Sequence, residues 1–361
     1  GLNGRFDARN SFYCVNERNR TLRLSASPGE MITGFNYMIE NKFAKIPLTA
    51  PSPLMRMNQF SGLLFLAQPI TGTKQYVGGA VTLPEYLGGY PVTAVASFAF
   101  SNVTSITSVV FPSGLSSIGQ AAFSGCSGLQ SVSFPETLTD IGISAFNGCS
   151  SLAAVSLPND ILSLNNYLFK NCTQLGSVTL PASLESIGQY AFQNCLSLQN
   201  VTLPQNLQSI GMFAFEKCSA LQSIAIPDSV TLIGQNAFEG CTALGTLTLS
   251  ENLSKIEYET FKGCTALTSV TFPENLTEIG WASFSGCTNL SSITLNAGLK
   301  KIYTAAFSFC NKLRIVAIPD TVTMIDNRAF WYCNGLLSVT IPHNTLNFGS
   351  DGDSFQYCTN L

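Results

Sequence analysis

The sequence is poor in charge, in histidine and in long apolar runs, and each shortage removes a class of function. Lys, Arg, Asp and Glu together make up 11% of the 361 residues and the formal net charge is −3. No basic face of the kind that nucleic acid or an anionic bilayer demands can be built from that. No apolar run reaches the roughly 18 residues needed to span a membrane; the 45% apolar content is spread through short alternating segments. Histidine occurs once, as His343 beside Pro342, which leaves acid–base and nucleophilic catalysis without their usual partner. A C-x-x-C pair is lacking too, so neither a zinc site nor any cofactor is expected. Asp351 and Asp353 lack the rest of a calcium-loop spacing and read as a solvated turn.

What the sequence does have is a repeat, and its cysteines expose it. From Cys126 to Cys333 a cysteine recurs every 23 residues, each preceded three positions earlier by a phenylalanine, Phe123 to Phe330. Phe355 and Cys358 continue the series after a two-residue insertion, and Phe100 opens it with Val103 in the cysteine slot. Within a unit such as Leu175-Gly-Ser-Val178-Thr-Leu180, apolar residues alternate as a one-faced strand requires. Pro181 ends it, because proline brings no N–H to a ladder; Ser250 and Asn296 are the exceptions in that slot between Pro112 and Pro342. Leu184 and Ile187 then point inward, Gly188 supplies a turn, and Tyr190–Cys195 reads as a short helical piece. Glu257 and Tyr303 replace that glycine elsewhere, so positive φ is not expected to be obligatory there.

The pattern L-x-x-V/I-x-L/I-P-x-x-L-x-x-I-G-x-x-A-F-x-x-C resembles the BspA-like class of leucine-rich repeat over about residues 81 to 361. The resemblance implies an α/β solenoid: a right-handed superhelix of 23-residue repeats with its parallel sheet on the concave side, short helical turns on the convex side and an N-terminal β cap. The strands from Ile106 to Leu336 are expected to form one sheet. The organisation read from the chain is a β-rich cap or arm over 1–60, a capping hairpin and irregular first repeat over 61–99, and the solenoid over 100–361. Resemblance further implies a bacterial protein at the cell surface or secreted, with adhesion rather than catalysis as its role. The start at Gly1 without Met fits a mature exported segment.

Three readings compete for the cysteine column, and packing is favoured over disulfides and metal. Val103 fills the slot with a small apolar side chain, so Cys218→Val is expected to cost little. Cys14 lies outside the column. Candidate ligand-binding residues come from aromatics outside the core columns: Tyr167, Tyr190 and Phe213; Tyr258, Trp281 and Tyr303; and, at the C-terminal end, Phe309, Trp331, Tyr332 and Tyr357. The first six are expected to form a strip whose rings lie beneath successive sugars or apolar side chains. Arg314, Ile315 and Leu337 interrupt an otherwise small, uncharged strand face and form a second candidate patch. The expected partner is a protein or glycan, with end-to-end self-association through an open C-terminal edge as a further possibility. A structural spacer is the rival reading.

Overall fold

The computed structural model describes residues 79–361 apart from 88, 89, 344 and 346 and the side chains of Leu87 and Tyr90, together with the backbone of five strands before residue 79. Three of those five, Asn3–Phe6, Ser11–Val15 and Thr21–Ser25, pair antiparallel. Met55–Asn58 and Leu63–Leu66 form a hairpin whose second strand runs parallel to Ala94–Val95. The remainder of the cap assigned to 1–60, and the side chain of Cys14, lie outside the described residues.

From residue 79 onward the chain coils with a period of about 23 residues, and the repeat follows from register. Val155 pairs with Val178 and Ile187 with Ile210, each partner one full turn ahead. The expected ladder is present, starting with Gly79–Thr82, Ile106–Val110 and Ser131–Ser133 and reaching Ser338–Thr340, but divided into separate sheets instead of the single one expected. It is not the sole ladder. Two-residue strands, Ser117–Ile118 through Met324–Ile325, build a second parallel ladder from the segment after the proline, interrupted between Asp140–Ile141 and Ser163–Leu164 and between Leu232–Ile233 and Lys255–Ile256. Hydrogen bonding in the first ladder lapses between Thr246–Thr248 and Ser269–Thr271 and again between Ser292–Thr294 and Ile315–Ala317. These two places hold Ser250 and Asn296 instead of proline. Both side chains turn inward: Ser250 Oγ donates to Val230 O at 2.7 Å, and Asn296 Nδ2 to Leu276 O at 2.9 Å.

The short helical pieces expected over the Ala-Phe-x-x-Cys segment are replaced by stacked turns, and no helix occurs among the described residues. The reason is backbone geometry. The residue two before each motif phenylalanine is left-handed from Phe98 to Arg328, with φ between 49° and 61°, and a left-handed residue interrupts an α-helix. Alternate N–H groups therefore leave the turn: Phe123 N donates to Ala145 O at 2.8 Å and Gly125 N to Asn147 O at 2.7 Å, both in the next turn. The glycine after the second strand serves close approach instead of positive φ. A Cβ on Gly119 would lie 2.4 Å from Ser97 N.

One core runs the length of the solenoid. The motif phenylalanines are fully buried from Phe100 to Phe330 and stack at 4.9–5.8 Å between successive rings. The cysteines beside them are free and buried from Cys126 to Cys333. Each thiol also donates to the carbonyl of the motif phenylalanine one turn earlier, Cys126 to Phe100 O at 3.0 Å and Cys218 to Phe192 O at 3.2 Å. Packing alone thus understates the cysteine: the slot takes a small apolar side chain that can also donate. Val103 fills the space without making that bond.

Candidate functional site

Two left-handed positions flank the buried phenylalanine in each turn, and the side chains around them form a ridge between the second sheet and the first. Two residues after the phenylalanine, glycine occupies the position at 125, 148, 240, 263 and 286, Asn at 102, 171 and 194, and Lys at 217. Glycine and asparagine are the residues that tolerate φ near +60°. The same position is Phe309, Tyr332 and Tyr357 in the last three turns, with φ of 60°, 57° and 61°. An L residue held there costs roughly 1–2 kcal/mol. Glycine fills this position in five other turns, so the turn itself does not require an aromatic there.

The rings stack on one another. Tyr167 lies 4.7 Å from Tyr190 with 4° between planes, and Tyr190 lies 4.8 Å from Phe213. All three are half-buried, and Lys170 Nζ sits 5.3 and 5.2 Å from the Tyr167 and Tyr190 centroids. Burial, then the neighbouring Tyr167 and the Glu216 charge, raise the Tyr190 hydroxyl above its ordinary range. Tyr258 and Trp281 form a second stack at 4.3 Å, exposed by 37% and 38%. Tyr303 does not join them: it occupies the glycine slot four before Phe307, and its hydroxyl donates to Glu278 Oε2 at 3.3 Å. The C-terminal rings form a third group. Phe309 stacks on Tyr332 at 5.4 Å and Tyr332 on Tyr357 at 4.6 Å, with Trp331 edge-on at 4.5 Å to Tyr332. Arg328 covers Trp331 at 5.5 Å and is tied to Asp353 at 2.9 Å. Asp353 is thereby committed to an ion pair, while Asp351 Oδ1 accepts from Ser350.

Sequence reasoning missed the polar members of this ridge. Lys170 and Arg328 pack on rings, and Phe98 stands exposed in the same column as Tyr167. Glu216, Glu239, Asn236, Glu259 and Lys262 fill the turns between the first two stacks. Only their column positions, read at the 23-residue spacing, could have placed them there. The second candidate patch lies elsewhere, on the first sheet. Arg314 and Leu337 meet through Leu337 N donating to Arg314 O at 2.8 Å, and Ile315 is 65% exposed beside them. The two patches are separate surfaces. Among the described residues no group of His, Cys, Asp and Glu could hold a metal ion.

Comparison with known proteins places this architecture. The model of the BspA-type leucine-rich repeat region matches residues 93–195, 162–264 and 242–361. A leucine-rich repeat protein from Bacteroides ovatus is 25% identical over 91% of this chain and 93% of its own, with a TM-score of 0.64. A leucine-rich cell surface protein of Faecalibacterium prausnitzii is 23% identical over 99% and 93%, TM-score 0.49. The pneumococcal vaccine antigen PcpA is 21% identical over 80% of each chain, TM-score 0.51, a likeness of fold. No curated protein matches the chain. The family match spans most of the chain, in the same turns that carry the Phe and Cys columns, and the chain belongs to the BspA-type leucine-rich-repeat family.

Proposed function

We propose that the chain is a bacterial recognition protein, secreted or held at the cell surface, which binds its partner along the aromatic ridge and performs no chemistry on it. The observation that carries this is the set of stacked aromatic side chains on the turns, six of them at left-handed positions: Phe309, Tyr332 and Tyr357, where most other turns place glycine or asparagine, and Tyr167, Tyr190 and Phe213. Strain of this kind concentrates at functional sites. The right-handed sense that parallel crossovers adopt, a capping role for the segment before residue 79, and self-association through the last turn belong to the same reading.

Stacking geometry favours a protein over a glycan. Within a stack spaced at 4.3–4.8 Å the ring faces are consumed by neighbouring rings, so a sugar finds a free face only on the outermost ring. Edges and hydroxyls remain along the ridge, which suits apolar and polar side chains of a polypeptide. A spacer role draws support from the first sheet, whose outward residues are Ser, Thr and Ala over most turns. Screening the purified chain on an array of proteins and glycans tests the reading: protein ligands are expected, glycan-only binding would reverse the preference, and a blank array would favour the spacer.

A further inference from the structure

Between the two aromatic stacks, an amine and a carboxamide are held on the same pair of carboxylates. Asn236 Nδ2 donates to Glu239 Oε2 at 2.7 Å and to Glu259 Oε2 at 2.8 Å. Lys262 Nζ donates to Glu259 Oε1 at 2.7 Å and lies 3.3 Å from Glu239 Oε1. Each carboxylate thus bridges both nitrogens, and the four contacts close a ring. Asn236 and Glu259 are buried, at 4% and 8% exposure, under a ridge that Tyr258 flanks. Asn236 is fixed further by its left-handed backbone, φ 58°, and its N–H donates to Tyr258 O at 2.9 Å. Asn236 and Lys262 belong to consecutive turns.

We propose that Lys262 and Asn236 join in an intramolecular isopeptide bond, with Glu259 as the acid–base group. The chemistry balances without any added reactant. Glu259 takes a proton from the Lys262 ammonium through Oε1, and the free amine adds to Asn236 Cγ. The protonated carboxyl then delivers its proton to Nδ2 through the other oxygen. The Cγ–Nδ2 bond breaks, the second Nζ proton of the adduct passes to Glu239 Oε1 and departs with the ammonia as ammonium, and a neutral Cγ–Nζ amide remains. One carboxylate touches both the nucleophile and the leaving group, so the proton passes without solvent. Glu239 holds the second N–H of the amide and the second proton of the amine, which orients both.

Burial works against the charge on Lys262, but the hydrogen bonds and charges of Glu259 and Glu239 outweigh it and hold the ammonium above its usual range. The first proton transfer therefore limits the rate, and the bond forms slowly after folding and faster as pH rises. Its consequence is mechanical. A repeat solenoid under tension can lose turns one at a time, because each contacts only its neighbours. A covalent tie between the turns of Asn236 and Lys262 stops that peeling at mid-length.

Intact-mass measurement of the purified full chain, freshly prepared and after incubation at mildly alkaline pH, reads the reaction directly. The expected result is the loss of one ammonia and a branched tryptic peptide joining the segments of Asn236 and Lys262. Lys262→Arg keeps the cation and its carboxylate contacts but cannot form the amide, and Glu259→Gln removes the proton carrier; both should lack the branched peptide while retaining the parent's circular dichroism. Absence of the branched peptide in the parent after prolonged incubation overturns the proposal. So does an ammonia loss that persists unchanged in Lys262→Arg, which marks succinimide formation at an asparagine.

Discussion

Single residues show how closely each repeat is satisfied and where it is not. Ser283 stands immediately before Phe284, where most turns have alanine, and its hydroxyl is fully buried with no hydrogen-bond partner. Thr260, in the equivalent place one turn earlier, donates to Glu257 O at 2.8 Å. Ser283→Ala should therefore raise stability by about 1 kcal/mol, seen as a higher denaturant midpoint; a fall would show that the hydroxyl has a partner after all. The cysteine column gives the opposite case. Cys218→Val removes the thiol donor from Phe192 O, which keeps the Cys195 N–H at 3.1 Å. The loss should be about 0.5–1 kcal/mol, since a thiol is a weak donor and the carbonyl stays partly satisfied. Cys218→Ser, which restores a donor, compared with Val in urea, separates hydrogen bonding from packing.

At the scale of the element, the turn ridge decides what folding needs and what it tolerates. Tyr332 stands where glycine serves other turns, at φ 57°. Replacing it by Gly relieves roughly 1–2 kcal/mol of backbone cost and forfeits stacking worth roughly 0.5–1.5 kcal/mol. Tyr332→Gly should leave the thermal transition within a few degrees of the parent, whereas Phe330→Ala in the core should lower stability by about 3–5 kcal/mol. A large loss for Tyr332→Gly would make the C-terminal rings part of the core. Much of this element was legible in the sequence. The 23-residue spacing of Cys and Phe gave the period, and the prolines gave the end of the first strand. Tyr167, Tyr190 and Phe213 fell in one column and do stack. The second sheet was hidden because each of its strands has two residues and a single inward side chain, as in Ser186–Ile187. A period of two has no room to show in so short a strand. Left-handed turns were hidden for another reason: the position two before the phenylalanine never holds glycine, so the usual signal is missing. Tyr303 was misplaced because it lies one position off the Tyr258 column, which sends its hydroxyl to Glu278.

The whole molecule is a stack whose thiols are kept protonated by burial, and this sets its response to alkali. Burial pushes Cys126, Cys172 and Cys287 from about 9 up to about 12 and raises the other thiols of the column through Cys310, while at Cys333 the hydrogen bond with Cys358 raises the thiol first and burial second. In the unfolded chain the same thiols ionise at their ordinary values. Between those limits the folded state binds more protons, so its advantage is complete below about pH 9 and falls as pH rises toward the folded values. Each such thiol contributes a slope of about 1.4 kcal/mol per pH unit, and ten act together. The solenoid should unfold cooperatively between about pH 9 and 12, followed by circular dichroism, and variants with three column cysteines changed to alanine should show a shallower pH dependence. A fold that persists unchanged through pH 12 would contradict the burial of the column.

The same stack carries its exposed rings on the turns and its small uncharged residues on the first sheet, and recognition is assigned to the former. The most direct measurement compares three proteins on the array ligands that the parent retains: the parent, Tyr258→Ala with Trp281→Ala on the ridge, and Ile315→Thr with Leu337→Thr on the sheet. The ridge pair should weaken binding at least about tenfold, the scale of a central aromatic contact, with the thermal transition close to the parent's, while the sheet pair binds as the parent does. Full binding by the ridge pair, with loss in the sheet pair, would move the recognition surface to the first sheet and contradict the account.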